Sequence, residues 1–177
     1  KDLISLGSSM GFEVTIADLM ETETGQVSST SIRKALAEGR PKDAAKQLGH
    51  WHRIEGVVIG GEQRGRELGY PTANMSLDGL HLPHLGVYAV LVDVLNGEHV
   101  GSYNGVASLG VRPMFGENTP NLETFIFDFS GDLYGATLSV ALVDFMRPEI
   151  KFDSLEKLIV QMDQDSLKAK ELLKSLK

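Results

Sequence analysis

Residues 87–109 read VYAVLVDVLNGEHVGSYNGVASL, two apolar runs (87–95 and 100–109) on either side of Asn96 and Gly97. An Asn-Gly pair between valine-rich runs is a strong indication of a turn that joins two antiparallel strands. Four similar runs lie before and after this hairpin, at 54–59, 72–77, 122–129 and 137–145. Because no helical pattern separates the six runs, they predict an antiparallel barrel or sandwich rather than a parallel α/β sheet.

The end of the chain predicts one long helix. Asp153 and Glu156 have the spacing of a capping box. The apolar residues that follow lie on one helical stripe: Leu155, Leu158, Ile159, Met162, Ala169, Leu172, Leu173 and Leu176. A one-sided stripe of this kind predicts that the helix packs against the β domain.

The first 49 residues have a different pattern, which predicts a strand over 12–16 and helices over 29–39 and 41–49. The helices are indicated by serine and threonine before the first one and by a glycine at the end of each. One strand and two short helices bury too little apolar surface to form a core of their own. We therefore expect this segment to be part of a larger domain whose front half is absent.

Composition narrows the possible functions. The 177 residues include 17 Lys and Arg, 24 Asp and Glu and no Cys, so the formal net charge is −7. A chain with this charge offers no broadly basic face for a nucleic acid, and disulfides and thiolate metal sites are excluded. No apolar run approaches the roughly 18 residues of a membrane helix. We expect a soluble cytoplasmic protein without nucleic-acid or membrane partners.

The loop between the first two predicted strands combines glycines with arginines. Residues 60–74 contain four glycines, and Arg64 and Arg66 are two of the three Lys or Arg residues between 54 and 146, Arg112 being the third. Glycines let backbone N–H groups approach an anion, and arginine adds charge, so the loop has the composition of a phosphate cradle. The same glycines are also typical of a long hairpin connection.

Two short patterns in the strands have side chains suited to catalysis. Thr72 and Asn74 are two residues apart, so in a strand their oxygens share one face and suit Mg²⁺, although such a pair after proline is more often simply a strand start. Glu123 alternates with Phe125, Phe127 and Phe129, and a carboxylate on an apolar face suits a general base. A glutamate at a strand end that pairs with arginine fits the same pattern.

The motifs taken together resemble a known family. They are RGRELGYPTAN (64–74), GVY (86–88), GVASLGVRP (105–113) and NLET (121–124). In this order they resemble the riboflavin kinase module of the bacterial bifunctional riboflavin kinase/FAD synthetase. The resemblance implies a mainly β fold over 50–177, a six-stranded antiparallel Greek-key barrel with a C-terminal helix.

Residues 27–33, VSSTSIR, resemble the late nucleotide-binding motif of that enzyme's FMN adenylyltransferase domain. The His-x-Gly-His-type motif of the domain's first half is not in this sequence. Residues 1–49 are therefore expected to be an incomplete α/β nucleotidyltransferase fragment that precedes the barrel, and the missing N-terminal adenylyltransferase domain is the partner implied for it.

The resemblance implies ATP-dependent phosphorylation of riboflavin to FMN, with ATP as co-substrate, magnesium as cofactor and ADP as the second product. It implies that Thr72 and Asn74 hold magnesium and that Glu123 is the catalytic base. The nucleotide and flavin contacts that it implies are Gly61, Arg64, Gly65, Arg66, Tyr70, Pro71, Thr72, Asn74, Asn104 and Arg112. Residues 115–120 would form a lid. The alternative is a barrel that binds flavin or nucleotide without catalysis.

Overall fold

A computed structural model of the chain describes residues 2–16, 18, 21–22, 25–61, 68–114 and 117–176. In chain order its elements are α1 (Asp2–Met10), β1 (Glu21–Thr22), β2 (Gly25–Gln26), α2 (Ser29–Ala37), α3 (Pro41–Leu48), β3 (Arg53–Val57), β4 (Thr72–Ser76), β5 (Gly86–Val94), β6 (Gly101–Met114), β7 (Glu117–Ile126), β8 (Thr137–Arg147) and α4 (Leu155–Lys174).

Strands β3 to β8 form one antiparallel sheet in the order β3-β8-β5-β6-β7-β4. The three successive strands β5, β6 and β7 are neighbours, and β8 returns to lie beside β5, which is a Greek key. The two edge strands come together where the N–H of Ile59 donates to the carbonyl of Asn74 at 2.9 Å, in an isolated antiparallel bridge. The predicted six-stranded barrel is confirmed, as a nearly closed one.

The barrel interior decides which side chains face outward. Ala73, Met75 and Leu122 are buried in the main core together with residues of the other strands. Successive side chains of a strand point to opposite faces. Thr72 and Asn74 on β4 and Glu123 on β7 therefore lie on the outer face of the sheet.

Helix α4 covers part of that outer face, as its apolar stripe predicts. Ala169 and Leu173 pack with Val143 and Phe127 in a second buried cluster. The helix is capped by Ser154, whose side chain accepts a hydrogen bond from the N–H of Lys157, and not by the predicted Asp153. The position shifts by one residue because Ser154 is the residue with the extended backbone that a cap requires.

Helices α2 and α3 lie against the barrel. Gly49 ends α3 in the left-handed conformation, with φ 77°. The backbone N–H of His84 donates to the carbonyl of Leu36 at 2.8 Å, and Lys42 pairs with Asp144 of β8 at 2.6 Å. Both predicted helices are confirmed, and they are joined to the barrel by hydrogen bonds and an ion pair.

Two expectations are wrong. Residues 12–16 are irregular, because no described strand lies beside them to satisfy a ladder of hydrogen bonds. Residues 117–120 of the predicted lid are part of β7, which pairs there with 111–114 of β6 beyond the barrel. Residues 115–116 of the predicted lid are outside the described residues. Within the described part of the chain, no helix is long and apolar enough to span a bilayer.

Candidate active site

The two predicted motifs meet on neighbouring strands. Asn74 is paired with Glu123, and Thr72 is paired with Phe125, in the register of β4 and β7. Directly opposite residues of an antiparallel pair share a face, with Cβ atoms about 4.5–5.5 Å apart. The barrel thus brings the hydroxyl of Thr72, the amide of Asn74 and the half-buried carboxylate of Glu123 together, although they are about 50 residues apart in sequence.

The side chain of Asn74 is fixed on three sides. Its Nδ2 donates to the carbonyl of Thr72 at 3.3 Å, and its Oδ1 accepts from Nδ2 of Asn121 at 3.2 Å. A Cβ on Gly61 would lie 2.5 Å from Nδ2 of Asn74, closer than real Cβ atoms come. A side chain at position 61 would occupy the space of the Asn74 amide, which explains why this predicted site residue is a glycine.

A cavity of about 230 Å³ lies at the end of the barrel where β3 and β7 end and β4 begins. Four predicted site residues line it, namely Gly61, Pro71, Thr72 and Asn74. The opposite wall comes from β7 and the connection that follows it, including Thr124, Phe129, Asp132 and Tyr134. The cavity is bordered by the ends of the glycine-rich connection, so it is next to the loop that the sequence predicts to hold phosphate.

Tyr70 connects this end of the barrel to α4. Its ring packs on Phe125 with centroids 4.9 Å apart, and its hydroxyl donates to Asp163. Burial, which has the larger effect, and the hydrogen bond to the Asp163 carboxylate together raise the pKa of the Tyr70 phenol to about 12. The protonated phenol is therefore a hydrogen-bond donor throughout the physiological pH range.

The aromatic alternation predicted around Glu123 holds in part. The rings of Phe125 and Phe127 are in edge-to-face contact with their centroids 5.8 Å apart, and Nζ of Lys170 lies 4.9 Å from the Phe127 ring centroid. Phe129, in contrast, packs against the barrel core and Tyr103. Its side chain changes face because β7 ends at Ile126 and the chain turns through Asp128, whose φ is 55°.

Of the remaining predicted contacts, Asn104 alone has a described side chain. Asn104 lies on β6, where its carbonyl accepts from the N–H of Phe127 at 2.9 Å, and it is not among the described residues that line the cavity. Arg112 is paired with Thr119 through the backbone. Arg64, Gly65 and Arg66 lie outside the described residues, as does the side chain of Arg112.

Sequence reasoning missed two residues with structural roles, Asn121 beside Asn74 and Arg147 beneath α4. Asn121 stands out in the sequence only as part of a motif, and Arg147 does not stand out at all. Arg147 makes a bidentate ion pair with Asp165 of α4, and Asp165 is only 6% exposed. A charged residue within the apolar stripe of a helix, as Asp165 is, is the signal that predicts such a partner.

The family assignment agrees with this geometry. Residues 48–173 match the family described as Flavokinase: Riboflavin kinase, so the chain belongs to the riboflavin kinase family. It is 40% identical over 156 residues to a bifunctional riboflavin kinase/FMN adenylyltransferase of Listeria monocytogenes, covering 87% of this chain and 48% of that protein. The chain thus spans about half the length of the curated relatives it matches.

Two solved structures are similar to the chain. One was solved as a macrolide-efflux protein from Streptococcus pneumoniae, with a TM-score of 0.78 and 39% identity, covering 90% of this chain and 52% of that one. The other is a riboflavin kinase from Trypanosoma brucei, with a TM-score of 0.50 and 26% identity, covering 69% and 79%.

Proposed function

We propose that this chain transfers the γ-phosphoryl group of ATP to the ribityl 5′-hydroxyl of riboflavin, which gives FMN and ADP. The observation that carries the proposal is the pairing of Glu123 with Asn74 on one face of the sheet, beside the cavity. The family supports the substrates. A barrel that only bound a flavin would not require a carboxylate on the same face as two hard oxygen ligands.

In this proposal the nucleotide occupies the cavity and its phosphates point toward Thr72 and Asn74. The glycine-rich connection, with Arg64 and Arg66, would cover the phosphates. The cavity lining combines polar side chains, such as Asn74 and Asp132, with apolar ones, such as Phe129, as a nucleotide site requires.

The donor set of the site fits magnesium. A hydroxyl and an amide oxygen are hard ligands, and magnesium usually takes its remaining ligands from water and phosphate. Within the described residues there is no group of three or more His, Asp or Glu side chains that would form an all-protein site. Thr72 and Asn74 would hold the ion, which when bound neutralises charge on the phosphates.

Glu123 would act as the general base. Its carboxylate accepts the proton of the 5′-hydroxyl as that oxygen attacks the γ-phosphorus, and the bond from the phosphorus to the bridging oxygen of ADP breaks on the opposite side. Phosphoryl transfer depends mainly on positioning and charge stabilisation. Two neighbouring strands of a barrel are a rigid support for such positioning.

We further propose that residues 1–49 belong to an FMN adenylyltransferase half of a longer protein. The names of the relatives support this, as does the exposure of apolar side chains on and after α1: Leu3 at 73%, Leu6 at 55%, Met10 at 68% and Phe12 at 54%. The cytoplasmic location stays a prediction.

The direct test is to incubate the chain with riboflavin, ATP and Mg²⁺ and to separate the flavins by chromatography. FMN without FAD is the expected result. Riboflavin that binds, seen as quenched fluorescence, but is never converted would instead support the non-catalytic alternative. FAD as a product of this chain alone would contradict the assignment of residues 1–49 as an incomplete domain.

A further inference from the structure

Asn121 is a buried amide beside the proposed metal ligands. Its residue is 5% exposed, and its Nδ2 donates to Oδ1 of Asn74 at 3.2 Å. Its own Oδ1 is buried and has no hydrogen-bond partner among the described residues. Buried polar atoms without partners are uncommon in native proteins, so this acceptor calls for an explanation.

The strand places Asn121 where it can act on the site. It lies two residues before Glu123 on β7, so both side chains are on the same face. Its direct partner in the register is Ser76, and Asn74 is its diagonal neighbour. Asn74 on β4 therefore lies directly opposite Glu123, the proposed base, and diagonally opposite Asn121. All three side chains are on the same face of the two strands.

The bond from Asn121 fixes which end of the Asn74 amide points outward. An amide oxygen has two acceptor positions, and Asn121 uses one of them, which leaves the other for a cation. Without this donor, the bond of Nδ2 to the Thr72 carbonyl, at 3.3 Å, is the one remaining hydrogen bond that orients the amide among the described residues. A rotated amide would present its N–H groups to a cation and repel it.

We propose that Asn121 is a positioning residue that orients the Asn74 amide so that its oxygen faces a divalent cation. The inference rests on the proposed function. Replacing a residue that orients a metal ligand typically weakens metal binding by about 10- to 100-fold. The unpaired Oδ1 of Asn121 fits the same arrangement, because Mg²⁺ usually keeps several waters and those waters are donors.

The test measures metal binding rather than turnover. Mn²⁺ is titrated into the chain with ADP present, and the bound fraction is read by electron paramagnetic resonance. Asn121→Leu should weaken Mn²⁺ binding by about 10-fold or more. ADP binding in EDTA and quenching of riboflavin fluorescence should stay within about twofold of the parent, because neither depends on the Asn74 oxygen.

Asn96→Ala is the matched control. Asn96 also uses its amide for two hydrogen bonds, accepting from the N–H of Thr137 at 2.8 Å and donating to its hydroxyl at 3.1 Å, but it lies in the turn after β5. Its replacement should leave Mn²⁺ affinity unchanged. Equal losses in the two variants would mean that a general loosening of the barrel weakens the site, which would overturn the inference.

A double-mutant cycle separates this inference from the proposed function. If Asn121 acts through Asn74, Asn121→Leu should have no further effect on Mn²⁺ affinity in an Asn74→Ala background. Weaker binding in Asn74→Ala but parent-like binding in Asn121→Leu would overturn the inference and leave the metal site in place. Parent-like binding in both would overturn the metal site as well. Should Asn121→Leu not fold, Asn121→Ser is measured in the same way, with the same outcomes.

Discussion

Replacing Asp165 with leucine should destabilise the fold substantially, because the carboxylate holds α4 on the barrel. Nε of Arg147 lies 3.1 and 3.0 Å from the two carboxylate oxygens, its Nη2 lies 2.6 Å from Oδ2, and Gln161 donates to Oδ1 at 3.0 Å. Breaking a buried pair by removing one partner typically costs about 3–5 kcal/mol. The Arg147 side chain is 19% exposed and keeps its bond to the Pro148 carbonyl. We therefore expect the lower end, about 3 kcal/mol.

For a chain of this size, about 3 kcal/mol corresponds to a fall in Tm of roughly 6–12 °C. Urea unfolding of the parent, Asp165→Leu, Arg147→Met and the double variant measures the free energies directly. The double variant should lose less than the sum of the two single losses, because it leaves no unpaired buried charge. Asp153→Leu, which removes an exposed carboxylate paired with Lys157, should change stability by less than about 1 kcal/mol. A loss below about 1 kcal/mol for Asp165→Leu, or strictly additive losses, would refute the reasoning.

Two further variants test the loop that borders the site. Gly61→Ala should weaken Mg²⁺-ATP binding by about 10-fold or more, because the added Cβ would displace the Asn74 amide. Gly60→Ala is the control: its Cβ would meet no atom within 4 Å, so this variant should bind Mg²⁺-ATP like the parent. Isothermal titration calorimetry compares the two affinities. Tyr70→Phe should remove a phenol that ionises near pH 12 in an ultraviolet titration. Folding raises the pKa of this phenol above its usual 10, so its contribution to stability is complete below pH 10 and is lost as the pH rises toward 12. The free energies of unfolding of the parent and Tyr70→Phe should therefore converge between pH 10 and 12. A constant difference between them would contradict the assignment.

The barrel could be predicted because its signals are local. Alternating apolar runs and Asn96-Gly97 indicate strands and a hairpin without knowledge of the tertiary structure, and Gly49 ends α3 where a helix-ending glycine is expected. Thr72, Asn74 and Glu123 are candidates from their residue types and spacing, and the resemblance of the motifs to the riboflavin kinase family supplies their proposed roles. Their assignment to one face then follows from the register of β4 and β7.

What the sequence could not predict depends on distant partners. Residues 12–16 have the alternation of a strand, but the described chain offers no neighbour for it. The β6–β7 ladder continues through Pro113 and Pro120 because each strand pairs with the other beyond the barrel, and the turn-forming preferences of single residues do not contain that information. Asn121 and Asp165 owe their roles to their contacts with Asn74 and Arg147, which only the fold brings close.

The central claim is that Glu123 is the base of a phosphoryl transfer, and Glu123→Gln tests it most directly. The variant keeps the size of the side chain and removes its ability to take a proton, so FMN formation should fall by about 10²- to 10⁴-fold while riboflavin binding stays within about twofold. Glu55→Gln is the matched control, because Glu55 accepts a hydrogen bond from Ser139 at 2.9 Å that glutamine can also accept. It should form FMN at the parent rate. FMN formation by Glu123→Gln at a rate close to that of Glu55→Gln would contradict the account.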